Sequence, residues 1–359
     1  MKVGIYLGRH AGDGAGIGLY ARSLVQTLPS ILGSEGVEVI FYGDGAILTD
    51  SVKKSLVGSR SVQVHLLPKY FSRYLAILID QFILPRRLKK DGVTILHSVA
   101  NLALVRSGGL QLLTVHDLFQ GWPPSGVKSP ETVWTKAVRS FYRSFFRIQF
   151  GKNISVVADS TPVADEICAL YPAMKGRVSV MPLGIEDTVL ELLEEKNEIP
   201  VLAQAHALLK RYNLRPGYLL LLASSDPRKN LKRSLEAYAQ LPNSREIPLV
   251  VRFADGEAAV TTKQFFADNL PGAYPQYTEL PWLDRREFLL LLLSAGVLAV
   301  PTVAEGFGLP ALEALALRVP TVTGPLESIQ LREDTSLFTC DPLKVEEISK
   351  AIAAAFGAL

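Results

Sequence analysis

The chain has 359 residues, 48% hydrophobic and 20% charged, with 38 Lys and Arg against 35 Asp and Glu for a formal net charge of +3. That composition excludes disorder of the chain as a whole and is enough for two domains of ordinary size, each with its own core. The two cysteines, Cys168 and Cys340, form neither a CxxC pair nor a disulfide framework, so they read as small apolar residues in a reducing compartment, and the expected location is the cytoplasm.

The chain begins Met1-Lys2-Val3-Gly4-Ile5-Tyr6-Leu7, which enters a strand pattern directly, without the apolar core and small-residue cleavage site of a signal peptide. The longest apolar runs, Leu75 to Leu84 and Phe288 to Ala295, fall short of the roughly 20 residues of a spanning helix, so no transmembrane anchor is expected. Residues 1–190 hold 21 Lys and Arg against 14 Asp and Glu, and residues 191–359 hold 17 against 21. The basic surplus therefore lies in the N-terminal half, where it suits either an anionic lipid or substrate surface or an ordinary solvated face.

Apolar β-rich runs at Val3 to Leu7, Val37 to Tyr42, Thr94 to His97, Leu110 to Val115, Val156 to Ala158 and Val178 to Met181 alternate with helical stretches. Such alternation predicts parallel strands with crossover helices. The loop Gly12-Asp13-Gly14-Ala15-Gly16-Ile17-Gly18 follows the first strand, but it fits neither GxGxxG nor the GK[ST] of a P-loop. A dinucleotide oxidoreductase and a P-loop ATPase are thereby disfavoured. His116 closes the run Leu110 to Val115, with Asp117 next to it as a candidate to orient the ring. From Thr132 to Phe150, Lys136, Arg139, Arg143 and Arg147 share one side of a predicted helix. That basic face reads either as a membrane or phosphate contact or as a solvated surface.

Glu186 to Leu214 contains a charged patch and then a helix-like stretch from Val201 to Arg211, which places the domain boundary near residue 200. The expected domains are 1–200 and 201–359. A second strand series follows at Tyr218 to Ala223, Leu249 to Phe253, Tyr277 to Leu280, Gly296 to Val300, Val319 to Thr323 and Leu337 to Thr339. The expected fold class is thus α/β with two successive Rossmann-like sheets. Short-period repeats and low-complexity tracts are lacking, so a solenoid is not expected.

Arg228-Lys229 follows the first strand of the second series and opens the predicted helix Leu231 to Ala239. Two cations at that point suit the charge developing on a leaving diphosphate, without a bound metal; the alternative is an exposed turn with Asn230 as N-cap. Glu305-Gly306-Phe307-Gly308-Leu309-Pro310-Ala311-Leu312-Glu313 reads as a glycine loop between a strand and a helix. Pro310 suits the first helical turn, the glycines permit close approach of backbone to a ligand, and the amides of Phe307, Gly308 and Leu309 lie at the positive end of the helix. Glu305 and Glu313 then face the carboxyl ends of the strands, where open α/β sheets bind ligands and where carboxylates suit sugar hydroxyls. The five histidines show no HxxxH spacing, and the chain has no Asp-x-Asp pair, so neither a metal nor a resident cofactor is expected.

The segment from Glu305 to Glu313 resembles the E-x7-E signature of the retaining GT-B glycosyltransferases of family 4. Similar segments extend along the chain in the order usual for that family: Gly16-Ile17-Gly18-Leu19-Tyr20, Thr114-Val115-His116-Asp117-Leu118, Asp159-Ser160-Thr161, Pro182-Leu183-Gly184-Ile185 and Asp226-Pro227-Arg228-Lys229-Asn230. The resemblance implies two Rossmann-like domains facing a central cleft, the N-terminal one binding the acceptor and the C-terminal one the nucleotide-sugar donor. It implies that Glu305 contacts the donor sugar and Glu313 the ribose, and that the amides of Phe307, Gly308 and Leu309 contact sugar and phosphate oxygens. Lys229 and Arg228 would bear the diphosphate charge, and Gly16 would lie near the phosphates. Backbone near Leu280-Pro281-Trp282-Leu283 would select the base, with Leu283 as donor contact. His116 would lie beside the reacting sugar, and Gly18, Asp117 and Ser160 are acceptor-side candidates.

The activity implied is metal-independent retaining transfer of a hexose from a UDP- or GDP-linked donor to a glycan, glycolipid or natural-product acceptor, with domain closure about the linker near residue 200. The partners implied are that donor, a glycan or lipid-linked acceptor and an anionic membrane touched peripherally, with no nucleic acid. Three departures stand out. Ser224 replaces a frequent arginine, Leu183 replaces a frequent asparagine, and the chain stops at Ala351 to Leu359 where similar proteins usually continue into helices packed on the N-terminal domain. The competing readings are a nucleotide-sugar epimerase or hydrolase, and a silent nucleotide-sugar-binding partner of an active transferase.

Overall fold

The computed structural model describes residues 1–8, 16–43, 62–68, 73–106, 109–127, 131–151, 154–242, 244, 246–269, 277–328 and 336–358. Two compact units divide the chain: Met1–Pro123 with Glu131–Leu183, and Pro124–Pro130 with Gly184–Leu359.

In the first unit the strands are β1 (Lys2–Tyr6), β2 (Glu38–Gly43), β3 (Val62–Leu66), β4 (Ile95–Ser98), β5 (Leu110–Val115), β6 (Ile154–Ala158) and β7 (Val178–Val180). They form one sheet in the order β3-β2-β1-β4-β5-β6-β7, and every pairing is parallel. Successive side chains on a strand point to opposite faces, which assigns each helix its partners. Helix α1 (Gly16–Ser34) packs Tyr20, Ala21 and Val25 against Val3, Ile5 and Phe41 on one face. On the other, α2 (Arg73–Asp91) packs Leu84 and Leu88 against Tyr6, Ile40 and Leu96. Helix α3 (Val133–Phe150) sets Tyr142, Phe145 and Phe146 against Leu113, Val115 and Val156, and α4 (Thr161–Leu170) follows β6.

Strand β3 lay outside the sequence expectation. It is an edge strand whose residues are exposed or partly buried, so it lacks the continuous apolar run by which the inner strands of a parallel sheet are recognised. Helix α3 is the basic amphipathic helix expected, with the Thr132 hydroxyl accepting from the Thr135 amide at its start. Three of its four cations meet protein groups: the Arg143 Nε donates to the Gly121 carbonyl at 2.8 Å and its guanidinium stacks 5.5 Å from the Trp122 ring centre. Lys136 and Arg139 both approach Glu131.

The second unit opens with α5 (Asp187–Glu195) and α6 (Ile199–Arg211). Its strands are β8 (Leu219–Ala223), β9 (Leu249–Phe253), β10 (Thr278–Leu280), β11 (Val297–Val300), β12 (Thr321–Thr323) and β13 (Leu337–Thr339), parallel throughout in the order β10-β9-β8-β11-β12-β13. Between and after them lie α7 (Leu231–Ala239), α8 (Gly256–Asn269), α9 (Arg285–Ser294), α10 (Leu309–Ala316) and α11 (Val345–Gly357). Val189 and Leu192 of α5 and Val201, Leu208 and Leu209 of α6 enter the core formed with Leu220, Leu289 and Leu298. The units therefore part at Leu183 and Gly184, ahead of the charged stretch near residue 200. Those charges decorate the outer face of helices whose inner face belongs to the second core.

Both sheets reverse strand order about a central pair, β1 with β4 and β8 with β11. Loops leaving the carboxyl ends of such a pair diverge and leave a crevice, the usual ligand site of an open α/β sheet.

Candidate active site

In the second unit, the loops after β8 and β11 are tied together. The turn Pro227–Lys229 is followed by Asn230 in the left-handed region (φ 59°), a conformation that asparagine tolerates better than most residues. The buried Asn230 amide donates to the carbonyls of Pro301, at 3.0 Å, and Pro342, at 2.6 Å. The Val303 amide donates to the Arg228 carbonyl at 2.8 Å. Asn230 thus acts less as a helix cap than as the staple that fixes Lys229 beside the loop leaving β11.

The Lys229 ammonium donates to Glu305 Oε1 at 2.6 Å, and both side chains retain partial exposure. The Arg228 guanidinium instead folds onto Asp226, whose carboxylate also accepts the Arg228 amide. Burial opposes ionisation of Asp226, but the bonds and charge of Arg228 outweigh it and hold the carboxyl below its usual range. Of the two adjacent cations, Arg228 is locally neutralised and Lys229 reaches across to the second loop. Ser224, where an arginine is frequent among similar proteins, donates to Asp255 at 3.0 Å, and that carboxylate also accepts the amides of Ser225 and Ala258.

Gly308 immediately precedes α10 with φ 91° and ψ 40°. A Cβ there would come within 2.4 Å of the Leu326 side chain as well as carrying an unfavourable backbone. The Phe307 ring is buried, and its carbonyl accepts from the Ser328 hydroxyl. The Ala311 and Leu312 amides donate to the Gly308 carbonyl, whereas the amides of Gly308 and Leu309 have no intrahelical acceptor and lie at the positive end of the helix, the ordinary requirement for seating an anion. Pro310, in the first turn, has no amide to leave unpaired.

Glu313 is 5% exposed and is gripped bidentately by Arg285, at 2.6 and 3.1 Å. Arg285 Nε donates in turn to Glu186 at 2.7 Å. Burial pushes the Glu313 carboxyl up, with Arg285 pulling against it. Burial also works against the Arg285 charge, but Glu313 and Glu186 together hold its pKa above the usual value. A fork of this kind fixes both carboxylates in direction as well as in charge. Nearby, Arg252 of β9 lies between two rings, 5.3 Å from the Trp282 centre and 4.7 Å from that of Phe288. Its Nε is buried without a hydrogen-bond partner among the described residues. The Leu283 side chain is buried in the core, so contact with a ligand there would come from backbone; Pro281 and Trp282 are the exposed side chains of the segment.

In the first unit, His116 is buried, with Nδ1 3.2 Å from Asp159 Oδ2 and Nε2 2.9 Å from the Val99 carbonyl. Asp159, not Asp117, therefore orients the ring; Asp117 accepts the Phe119 amide two residues on. Both neighbours of the ring are acceptors. Behind it, His97 Nε2 pairs with the Thr114 hydroxyl at 2.8 Å, which pairs with the Tyr20 hydroxyl at 3.1 Å. Burial, with the His116 charge nearby, pushes the His97 imidazole down to about 4. Gly16 is the exposed first residue of α1, Gly18 is buried in its first turn, and Ser160 is the buried residue before α4. The Gly12 to Ala15 part of the glycine loop lies outside the described residues.

Residues 210–356 match the family described as Glycosyl transferases group 1. Over 99% of its length the chain superposes on WaaG, a glycosyltransferase involved in lipopolysaccharide biosynthesis, with a TM-score of 0.68, 16% identity and 90% of that chain covered. It superposes similarly on Anabaena HepE in complex with UDP and glucose, with a TM-score of 0.65, 14% identity and 89% of that chain covered. The fold is that of the GT-B glycosyltransferases. The chain is also 29% identical over 153 residues to the O-antigen chain mannosyltransferase B of Escherichia coli, covering 42% of this chain and 40% of that protein. It thus spans less than half of that relative's length.

Within this GT-B fold, the Lys229 ammonium meets the Glu305 carboxylate four residues ahead of α10. Glu313 is close to Glu305 in sequence, yet its carboxylate is committed to Arg285. Sequence reasoning missed Arg285, although a signal was present: Arg285-Arg286 occupies the first turn of α9, the end of a helix dipole where cations are disfavoured. A cation at such a place needs a carboxylate from elsewhere, here Glu313 and Glu186 for Arg285 and Glu195 for Arg286.

Proposed function

We propose that the chain is a retaining glycosyltransferase that moves a hexose from a nucleotide-diphosphate sugar to an acceptor hydroxyl, without a metal. The observation that carries this reading is the Lys229–Glu305 pair, at 2.6 Å, stapled beside the amides that open α10. It combines a cation, a carboxylate and oriented N–H groups at one sheet switch point, the groups that a diphosphate and a sugar ring each require. In the transfer, the bond from the anomeric carbon to the diphosphate oxygen breaks, with its electron pair leaving on that oxygen. The acceptor hydroxyl oxygen bonds to the same face of the carbon, and its proton passes to the departing phosphate.

Lys229 and the helix-end amides stabilise the charge that appears on the leaving oxygen, where a fixed, partly dehydrated donor is worth most. Glu305 takes donor-sugar hydroxyls, and Glu313, held by Arg285, takes the ribose. Arg228, tied to Asp226, contributes backbone and shape more than charge. The His116–Asp159 pair and the residues Gly18, Asp117 and Ser160 belong to the acceptor side. The donor is UDP- or GDP-linked: HepE binds UDP and glucose, and the E. coli relative's designation as a mannosyltransferase favours mannose among the hexoses. The acceptor class closest to these relatives is a bacterial cell-surface polysaccharide or its lipid-linked precursor.

The test is a thermal-shift panel of UDP, GDP, ADP, dTDP and their sugar conjugates, since a ligand that binds the folded state raises its melting temperature. Selective stabilisation by one base is expected, followed by release of a product whose anomeric configuration, read by NMR, matches the donor. An inverted product would remove the retaining mechanism. No shift with any nucleotide at saturation would remove the donor site.

A further inference from the structure

The Lys229–Glu305 contact sets the site's cation and its carboxylate on each other before any ligand arrives. Among the described residues, the Lys229 ammonium donates to Glu305 Oε1 and to no other side chain, and Glu305 accepts from no other donor. The Lys229 charge also bears on Asp226, but Arg228 holds that carboxylate through both its guanidinium and its amide. Arg285 is likewise taken, by Glu313 and Glu186.

The two loops that carry the pair are pinned to each other. The Asn230 amide group binds the Pro301 and Pro342 carbonyls, and the Val303 amide binds the Arg228 carbonyl. Separation of the pair therefore falls to the side chains, of which Lys229 has the flexible four-carbon stem. At 32% and 17% exposure, both groups remain open to exchange of partners.

Resting on the reading of this site as a nucleotide-sugar site, we propose that the pair couples the sugar to the diphosphate, so that a free nucleoside diphosphate binds at a penalty its sugar conjugate escapes. A diphosphate that takes the Lys229 ammonium strips Glu305 of its partner and sets a second anion near it. A polar group left unpaired in a site works against the ligand that fails to pair it. The sugar conjugate brings hydroxyls that donate to Glu305 and restore what Lys229 gave up. After transfer those hydroxyls leave with the product, and Glu305 competes with the spent diphosphate for Lys229, which favours its release. Specificity of this kind lies in the cost imposed on the wrong ligand, in addition to the contacts offered to the right one.

The test is calorimetric titration of the full chain with UDP, GDP, UDP-glucose and GDP-mannose, in the parent and in Glu305→Gln, which keeps the shape of the side chain and removes its charge. Glu305→Gln should bind the nucleoside diphosphate of the preferred base about fivefold more tightly than the parent, the worth of one partly exposed ion pair that the ligand no longer breaks. Affinity for the sugar conjugate should stay level or fall. The same substitution in a Lys229→Ala background separates the pair from simple repulsion between Glu305 and the diphosphate, and there the gain should be clearly smaller. Melting temperatures without ligand check that each variant is folded. No gain in Glu305→Gln, or an equal gain with and without Lys229, would overturn the inference while the donor site stands. A parent that binds none of the four nucleotides would overturn the donor-site reading and this inference with it.

Discussion

The two units have the same kind of parallel sheet and the same reversal of strand order about a central pair, yet they treat charge in opposite ways. In the segments that follow β8, β10 and β11 the second unit sets cations against carboxylates: Lys229 with Glu305, Arg228 with Asp226 and Arg285 with Glu313 and Glu186. The corresponding region of the first unit holds two buried groups of polar contacts, His97–Thr114–Tyr20 and His116–Asp159, while basic residues cluster on the helices α2 and α3. Topology provides a crevice in both, and the side chains on the diverging loops decide what it holds. Paired charges suit an anionic ligand that exchanges partners with them; a buried hydrogen-bonded network suits a fixed shape.

The severest test of this comparison is Arg285→Ala, which leaves Glu313 buried without its cation. A loss of about 3–5 kcal/mol in urea unfolding is expected, and replacing Arg285 and Glu313 together by apolar residues should cost much less. If the single and double variants are equally stable, the fork is not what holds this part of the second unit. Next in size, Lys229→Ala should reduce turnover about 100-fold, roughly 3 kcal/mol of transition-state stabilisation. Its melting temperature should stay close to the parent, because the Lys229–Glu305 pair is partly exposed and contributes little to folding. Turnover within threefold of the parent would take Lys229 out of the chemistry.

The first unit should respond to mild acid through His97. The folded value of His97, about 4, lies below the ordinary 6.5. A depressed value means that the stability contributed by neutral His97 is fully present above about pH 6.5 and is lost as the pH falls toward 4. Between pH 7 and pH 5 that loss is about 2 kcal/mol, and unfolding of His97→Gln over the same range should lack it. An identical pH dependence in parent and variant would show that the buried network tolerates the charge. The smallest effect is expected at Gly308→Ala, about 1–2 kcal/mol from backbone strain at φ 91° and from the shift that the new Cβ forces on the Leu326 side chain. A shift of the α10 start should then weaken nucleotide binding more than it lowers the melting temperature.

Much of the fold was legible because parallel strands covered on both faces are continuous apolar runs, and Val3 to Leu7 or Gly296 to Val300 hardly read as anything else. Strand β3 was not, because an edge strand with partly exposed side chains lacks that run. Lys229, Glu305 and the glycine turn before α10 were legible because each lies at a junction of strand, loop and helix that marks its own chemistry. Arg285 and Asp159 were not, since what matters about them is a partner: Glu313 is 28 residues from Arg285, Glu186 is 99 residues away, and His116 is 43 residues from Asp159.

The sequence by itself determined two α/β units, the strands that carry them, and a glycine loop flanked by carboxylates and cations, because periodicity, turn chemistry and helix-start preferences act over a few residues. Which charges neutralise one another was decided by the tertiary structure. So was the division at Leu183 rather than near 200. Pairing and burial depend on distances between residues far apart in the chain, and packing of the two cores alone sets those distances.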